Sequence, residues 1–254
     1  VLENLQQFTE DKDYSARDFQ KFFKEQIYNE GVHDETYKIL FSIFVPEKDR
    51  QYYFLNLLRS GPLQNKFNWI NTIFTNQNNL TAEMNKGKRV IAQVIFEGIM
   101  FASAFALFIK ESSLTNFVEI NKYVARDETI HGDFFTKLYK YKHDKSLTDK
   151  QIITMFKEGL EIELEFIEWV LGNDCDSQFK QDLIEHIKVN CDMWLNKLGV
   201  EHKYFSQVNE TPLQYMSEAQ GLITTNFFER RPINYTTETN HDVDYGRIFK
   251  QKIF

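Results

Sequence analysis

Chain breakers are scarce here: 254 residues carry only four prolines and ten glycines. A fold of short strands needs frequent turns, so this scarcity, set beside 24 phenylalanines, favours long helices. Cysteine is rarer still. Cys175 and Cys191 lie far apart with no metal-ligand spacing, and they read as two reduced thiols in an intracellular protein. Basic charge is in deficit, with 30 Lys and Arg against 37 Asp and Glu for a net charge of −7. That balance argues against a nucleic-acid or anionic-membrane binder. No run reaches the roughly 18 uninterrupted apolar residues of a membrane helix. The nearest, Val90 to Ile109, is interrupted by Gln93 and Glu97. No signal peptide and no glycine-rich phosphate loop can be found, and the expected location is cytoplasmic. An initiating methionine is also missing. Val1 leads straight into a helical pattern of Leu2, Leu5 and Phe8, as expected for the trimmed part of a longer polypeptide.

What is present is helical periodicity. Ser15 is a plausible N-cap for a helix with Phe19, Phe22, Phe23, Ile27, Leu40 and Phe44 on its apolar side, ending near Pro46. A segment from Pro46 to Arg59 follows, then an aromatic-rich helix around Phe67, Trp69 and Phe74, with Asn76–Asn79 as a loop. The pattern then predicts one long helix from Thr81 to Lys110, and others over Leu114–Tyr141, Thr148–Val170, Asp176–Leu198 and Thr211–Ala219. Gly172 and Gly199 mark two of their ends. Residues 1–230 therefore read as one all-α bundle domain, and 231–254, polar and aperiodic, as a flexible C-terminal tail.

Several carboxylates interrupt faces that should be apolar. Glu30, His33 and Tyr37 stand at i, i+3 and i+7 on a stripe that continues into Leu40 and Phe41. Glu97 lies between Val94 and Phe101 on a stripe that runs on to Phe105. Glu128 and His131 repeat the i, i+3 pair, aligned with Val124 and Phe135. An unpartnered buried carboxylate costs several kcal/mol. Three glutamates and two histidines on apolar faces of three helices therefore need a shared compensator, and a metal pair supplies one. One Glu from each of two helices, with a Glu-x-x-His pair from each of two others, is the ligand pattern of ferritin-like carboxylate proteins. Carboxylate oxygens with one imidazole per metal suit iron or manganese better than structural zinc. His143, His186, His202 and His241 lie in polar or mixed surroundings and are expected at the surface.

At these residues the sequence resembles the small subunit of class I ribonucleotide reductase, particularly the eukaryotic and viral type, over residues 1 to about 235. The segments that carry the likeness are 29–37, 96–105, 125–134 and 225–231, the third being close to the family's Arg-Asp-Glu-x-x-His signature. The resemblance implies a ferritin-like helical bundle with Glu30, His33, Glu97, Glu128 and His131 as ligands of two oxo-bridged iron ions. It implies that Tyr37 is oxidised to a stable neutral radical, protected in a dry pocket of Phe101, Phe105 and Val124. Asp127 would fix a ring nitrogen of a ligating histidine, His33 above all, and lie on the electron path. Tyr235 would pass the radical to the large subunit, which docks on the tail and converts ribonucleotides to deoxyribonucleotides. The family norm is a homodimer. The family's first aspartate ligand and its electron-path tryptophan would fall upstream of Val1, and the basic ending Arg247–Phe254 departs from the usual acidic tail. Two other readings stay open: a ferritin-like di-metal oxidase that exports no radical, and a non-catalytic small subunit paired with an active one.

Overall fold

The computed structural model of the chain describes residues 2–75, 81–110, 113–172, 176–201 and 204–221. Among them there is no strand. The helices are α1 (Leu2–Glu10), α2 (Arg17–Phe44), α3 (Glu47–Arg59), α4 (Gly61–Thr75), α5 (Ala82–Gly98), α6 (Ala102–Lys110), α7 (Thr115–Lys142), α8 (Asp149–Leu171), α9 (Ser177–Leu198) and α10 (Gln214–Ala219), with a 3₁₀ turn at Lys12–Tyr14. All described residues belong to one compact unit, Val1–Ile223. Cys175, His202, His241, Tyr235, the Asn76–Asn79 loop, the 225–231 segment and the 231–254 tail lie outside the described residues.

The bundle is assembled around α5. Every residue from Val90 to Met100 is buried, as expected of a helix apolar on all sides. By length and composition Ala82–Lys110 could cross a membrane, but 83% of its most apolar window is buried inside this fold. Helices α4, α7, α8 and α9 cover α5, and α7 makes the broadest contact. Trp194 of α9 explains how closely α5 and α7 approach. A Cβ added at Gly98 would lie 2.4 Å from its indole nitrogen, and one at Gly132 would lie 2.7 Å from the far edge of its ring. Glycine at both positions leaves a slot for the indole. That slot lies beside Glu97 on one helix and His131 on the other.

Helix ends follow local chemistry. Thr148 and Gln151 form a reciprocal capping box at the start of α8. Asp176 caps α9, and Gly199 closes it in the left-handed conformation, φ 90°. Ser15 is not the cap of α2: it ends the 3₁₀ turn, and α2 begins after Ala16 with no side-chain cap.

Two further expectations need correction. The single helix from Thr81 to Lys110 is broken at Ile99–Phe101 into α5 and α6. His143 and His186 are buried, not at the surface. Each sits in a hydrogen-bond network that its neighbours in sequence do not reveal. His143 joins Tyr14 (2.6 Å) to Glu83 (2.5 Å), and His186 joins Thr211 (2.7 Å) to Asn190 (3.3 Å). Cys191 is buried as a free thiol, which burial holds well above its ordinary pKa.

Candidate metal centre

Three helices bring the acidic and imidazole groups together. Glu30 and His33 come from consecutive turns of α2, Glu97 from the last turn of α5, and Glu128 and His131 from consecutive turns of α7. One potential ligand atom from each of Glu30, Glu97, Glu128 and His131 lies within 4.8 Å of all the others. His131 Nδ1 is 3.3 Å from Glu30, 3.4 Å from Glu128 and 3.8 Å from Glu97. His33 joins from the side of α2, its Nδ1 3.2 Å from Glu128 and 3.9 Å from Glu30. Its other ring nitrogen, Nε2, is 3.2 Å from Asp127. The i, i+3 spacing thus puts both carboxylate–imidazole pairs on facing stripes.

The electrostatics are those of a site short of positive charge. Burial, and then Glu128, pushes the Glu97 carboxyl up to about 8. Burial and Glu97 likewise raise Glu30. Burial opposes charge on His131, but the carboxyl groups of Glu128, Glu30 and Glu97 around its ring outweigh it and push the imidazole up to about 12. Burial also acts on Glu128, yet its neighbours Glu97, His131 and His33 hold its carboxyl below the ordinary value. Protons here take up negative charge that a bound cation would otherwise balance.

Unsatisfied atoms point the same way. Glu30 Oε1 and His33 Nδ1 are buried without a hydrogen bond, although each lies within 3.3 Å of a group in the cluster. Those approaches are unsuited to N–H···O bonding. Four potential ligand atoms within 4.8 Å of one another, with buried polar atoms left without hydrogen bonds, suit a cation, so the donor set fits a metal site.

The structure places the remaining candidates as follows. Tyr37 is partly buried, and its hydroxyl donates to Asn121 Oδ1 at 2.9 Å. Burial raises its phenol above the ordinary value, with Glu128 adding to the effect. Phe105 and Val124 are buried and Phe101 partly so; Phe101 packs edge-on to Phe96 at 4.9 Å.

Two residues of the site were missed in the sequence. Gln26 is 1% exposed, and its amide donates to Glu97 Oε1 at 3.1 Å. It stands one turn before Glu30 on the same stripe, a signal that was available. Asn121 is fully buried, with its amide nitrogen bound to Phe117 O at 2.8 Å. Because that carbonyl can only accept, the amide oxygen must face Tyr37.

Comparison with known proteins supplies a family for this fold. The family model described as "Ribonucleotide reductase, small chain" matches residues 3–212. The ribonucleoside-diphosphate reductase small chain of Ostreid herpesvirus 1 is 30% identical over 236 residues, which cover 90% of this chain and 40% of that one. The small chain from Plasmodium falciparum is 30% identical over 240 residues, covering 92% and 65%. This chain therefore spans less than two thirds of either relative. In fold it is similar to a ribonucleotide reductase R2 subunit from Clostridium botulinum, with a TM-score of 0.74 at 19% identity, covering 86% of this chain and 71% of that one. A ribonucleotide reductase homodimer from Saccharomyces cerevisiae gives a TM-score of 0.66 at 21% identity over the same shares. With the family match running through all three helices of the cluster, this ferritin-like helical bundle belongs to the ribonucleotide reductase small-chain family.

Proposed function

We propose that this chain is the radical-generating small subunit of a ribonucleoside-diphosphate reductase, with Glu30, His33, Glu97, Glu128 and His131 holding two iron ions and Tyr37 as the radical residue. The observation that carries the reading is the meeting of four potential ligand atoms from three helices within 4.8 Å of one another. When bound, the metal pair supplies oxidising power drawn from dioxygen, and manganese is the other metal whose hardness suits these ligands.

The chain's own residues do the rest. Asp127 holds His33 Nε2, so that Nδ1 stays turned toward the carboxylates. With its side chain 39% exposed, Asp127 also offers an electron path from the surface. Gln26 fixes one Glu97 oxygen and leaves the other to the cluster. Phe101, Phe105 and Val124 exclude water and reductants from the radical. Asn121 holds the Tyr37 phenol through an amide oxygen too weakly basic to keep its proton, so the proton released on oxidation would pass to the carboxylate cluster, whose Glu128 is the charged group acting on Tyr37.

Residues 1–230 are the metal-binding domain and 231–254 the tail that docks on the large subunit, with Tyr235 carrying the radical across. The large subunit then reduces ribonucleotides to deoxyribonucleotides. The chain acts in the cytoplasm as a homodimer. Tyr28, Val32, Ile39 and Ile43 are exposed along one stripe of α2 and offer an apolar face for a second copy.

Reconstitution with ferrous iron and dioxygen tests this function. The chain should develop the electron-paramagnetic signal of a tyrosyl radical, and Tyr37→Phe should lose that signal while keeping the iron absorbance. A signal that persists in the variant rejects Tyr37. Capture by the large subunit separates the reductase from a ferritin-like oxidase. Capture undiminished by removal of residues 231–254 rejects the role given to the tail.

A further inference from the structure

The helix that carries Glu97 stops at Gly98 and resumes at Ala102, with no proline at the break. Solvent does not explain the stop either, since Ile99 and Met100 are fully buried. Ile95 O accepts from both Ile99 N (2.9 Å) and Met100 N (3.2 Å), the second across five residues, and the next turn is tight, Ala102 N reaching Ile99 O at 3.1 Å. The helical register is interrupted here, a five-residue bond being followed by a three-residue one. A turn widened and then tightened in this way displaces backbone groups from their helical partners where water cannot replace them.

Two charged side chains from other helices bind at this break. Lys66 of α4 donates to Met100 O at 2.6 Å. Glu163 of α8 accepts from Ser103 N at 3.2 Å and from the Ser103 hydroxyl, so it sits at the first turn of α6. The two meet each other at 2.6 Å, their side chains 4% and 0% exposed. Phe166 covers the Lys66 ammonium at 3.5 Å. Among the described residues no hydrogen bond or ion pair joins either residue to the ligand cluster.

An ion pair this deep adds little to stability, because the cost of desolvating both charges roughly cancels their attraction. Apolar residues of similar volume would often serve as well. They could not, however, bond the Met100 carbonyl and the Ser103 amide. We infer that Lys66 and Glu163 form a positioning clamp that fixes the break between α5 and α6, and with it the aim of Glu97 and the setting of Phe101 and Phe105. An unbroken helix would keep these three on one stripe; the break falls between Glu97 and the two phenylalanines and interrupts that register. The functional consequence rests on Glu97 being a metal ligand, whereas the clamp itself does not.

Two variants of the full chain separate positioning from stability. In the double variant Lys66→Met/Glu163→Leu no buried charge is left unpaired, and the melting temperature should stay within a few degrees of the original. Its 99–104 amides should nevertheless exchange about tenfold faster in the metal-free protein, and ferrous iron uptake should fall by about half or more. Glu163→Gln keeps an acceptor for Ser103 but loses the charge. It should melt lower yet keep the original exchange and iron uptake. A double variant with unchanged exchange and iron, or a Glu163→Gln that loses iron in step with its stability, overturns the clamp. Should the original chain take up no iron, the metal reading fails and exchange in the metal-free protein still decides the clamp.

Discussion

Glu97 shows how a single side chain betrays a site. On a stretch of helix buried on every side, a carboxylate 3% exposed has no partner of its own element, and its partners come from α2 and α7. That much could be read from the stripe Val94–Glu97–Phe101, as could the two Glu-x-x-His pairs. Asn121 could not. A polar residue on a mostly buried helix looks the same in sequence whether its amide faces solvent, a backbone carbonyl or a phenol. Its pairing with Tyr37 spans 84 residues of sequence. Asn121→Leu should destabilise the protein by about 1–3 kcal/mol, because the buried phenol loses its acceptor. Adding Tyr37→Phe should recover most of that loss, since both partners are then apolar. Urea unfolding of the single and double variants measures this, and a double variant no more stable than the single contradicts the pairing.

At the scale of elements, periodicity found most of the helices and several of their caps, though not that of α2, because apolar spacing and capping chemistry are local. The boundary at Thr148 and the stop at Gly199 are cases in point. The break between α5 and α6 was illegible, since the groups at it, Lys66 and Glu163, arrive from distant segments. Close packing of α5 against α7 was equally hidden. Gly98 and Gly132 lie mid-pattern, where glycine looks merely unfavourable. Their purpose appears only when Trp194 is in place. Gly98→Ala should therefore destabilise by about 1–3 kcal/mol through overpacking against a rigid indole, despite the better helix propensity of alanine. Gly31→Ala, on α2 with nothing within 4 Å of the added methyl, should instead stabilise by up to about 1 kcal/mol. Thermal unfolding of both compares the two directions; equal shifts would contradict the slot.

Across the whole molecule, stability and metal binding both depend on what is buried together. His186 is fully buried, and burial pushes its imidazole down to about 4 from an ordinary 6.5. As pH falls through 6.5 toward 4, the unfolded chain takes up a proton that the folded chain refuses, so stability is lost in that window and is fully present above it. Between pH 7 and pH 5 this group alone should remove roughly 2 kcal/mol. The check is the difference in that pH dependence between the original chain and His186→Gln; identical slopes contradict it.

The central claim is that cations belong between the glutamates and histidines of α2, α5 and α7. Its most direct test is anaerobic titration of the metal-free chain with ferrous iron, with bound metal counted per chain. We expect saturation at about two ions, with a sharp loss in Glu128→Ala. A chain that binds none, or a variant that binds as much as the original, would contradict the account.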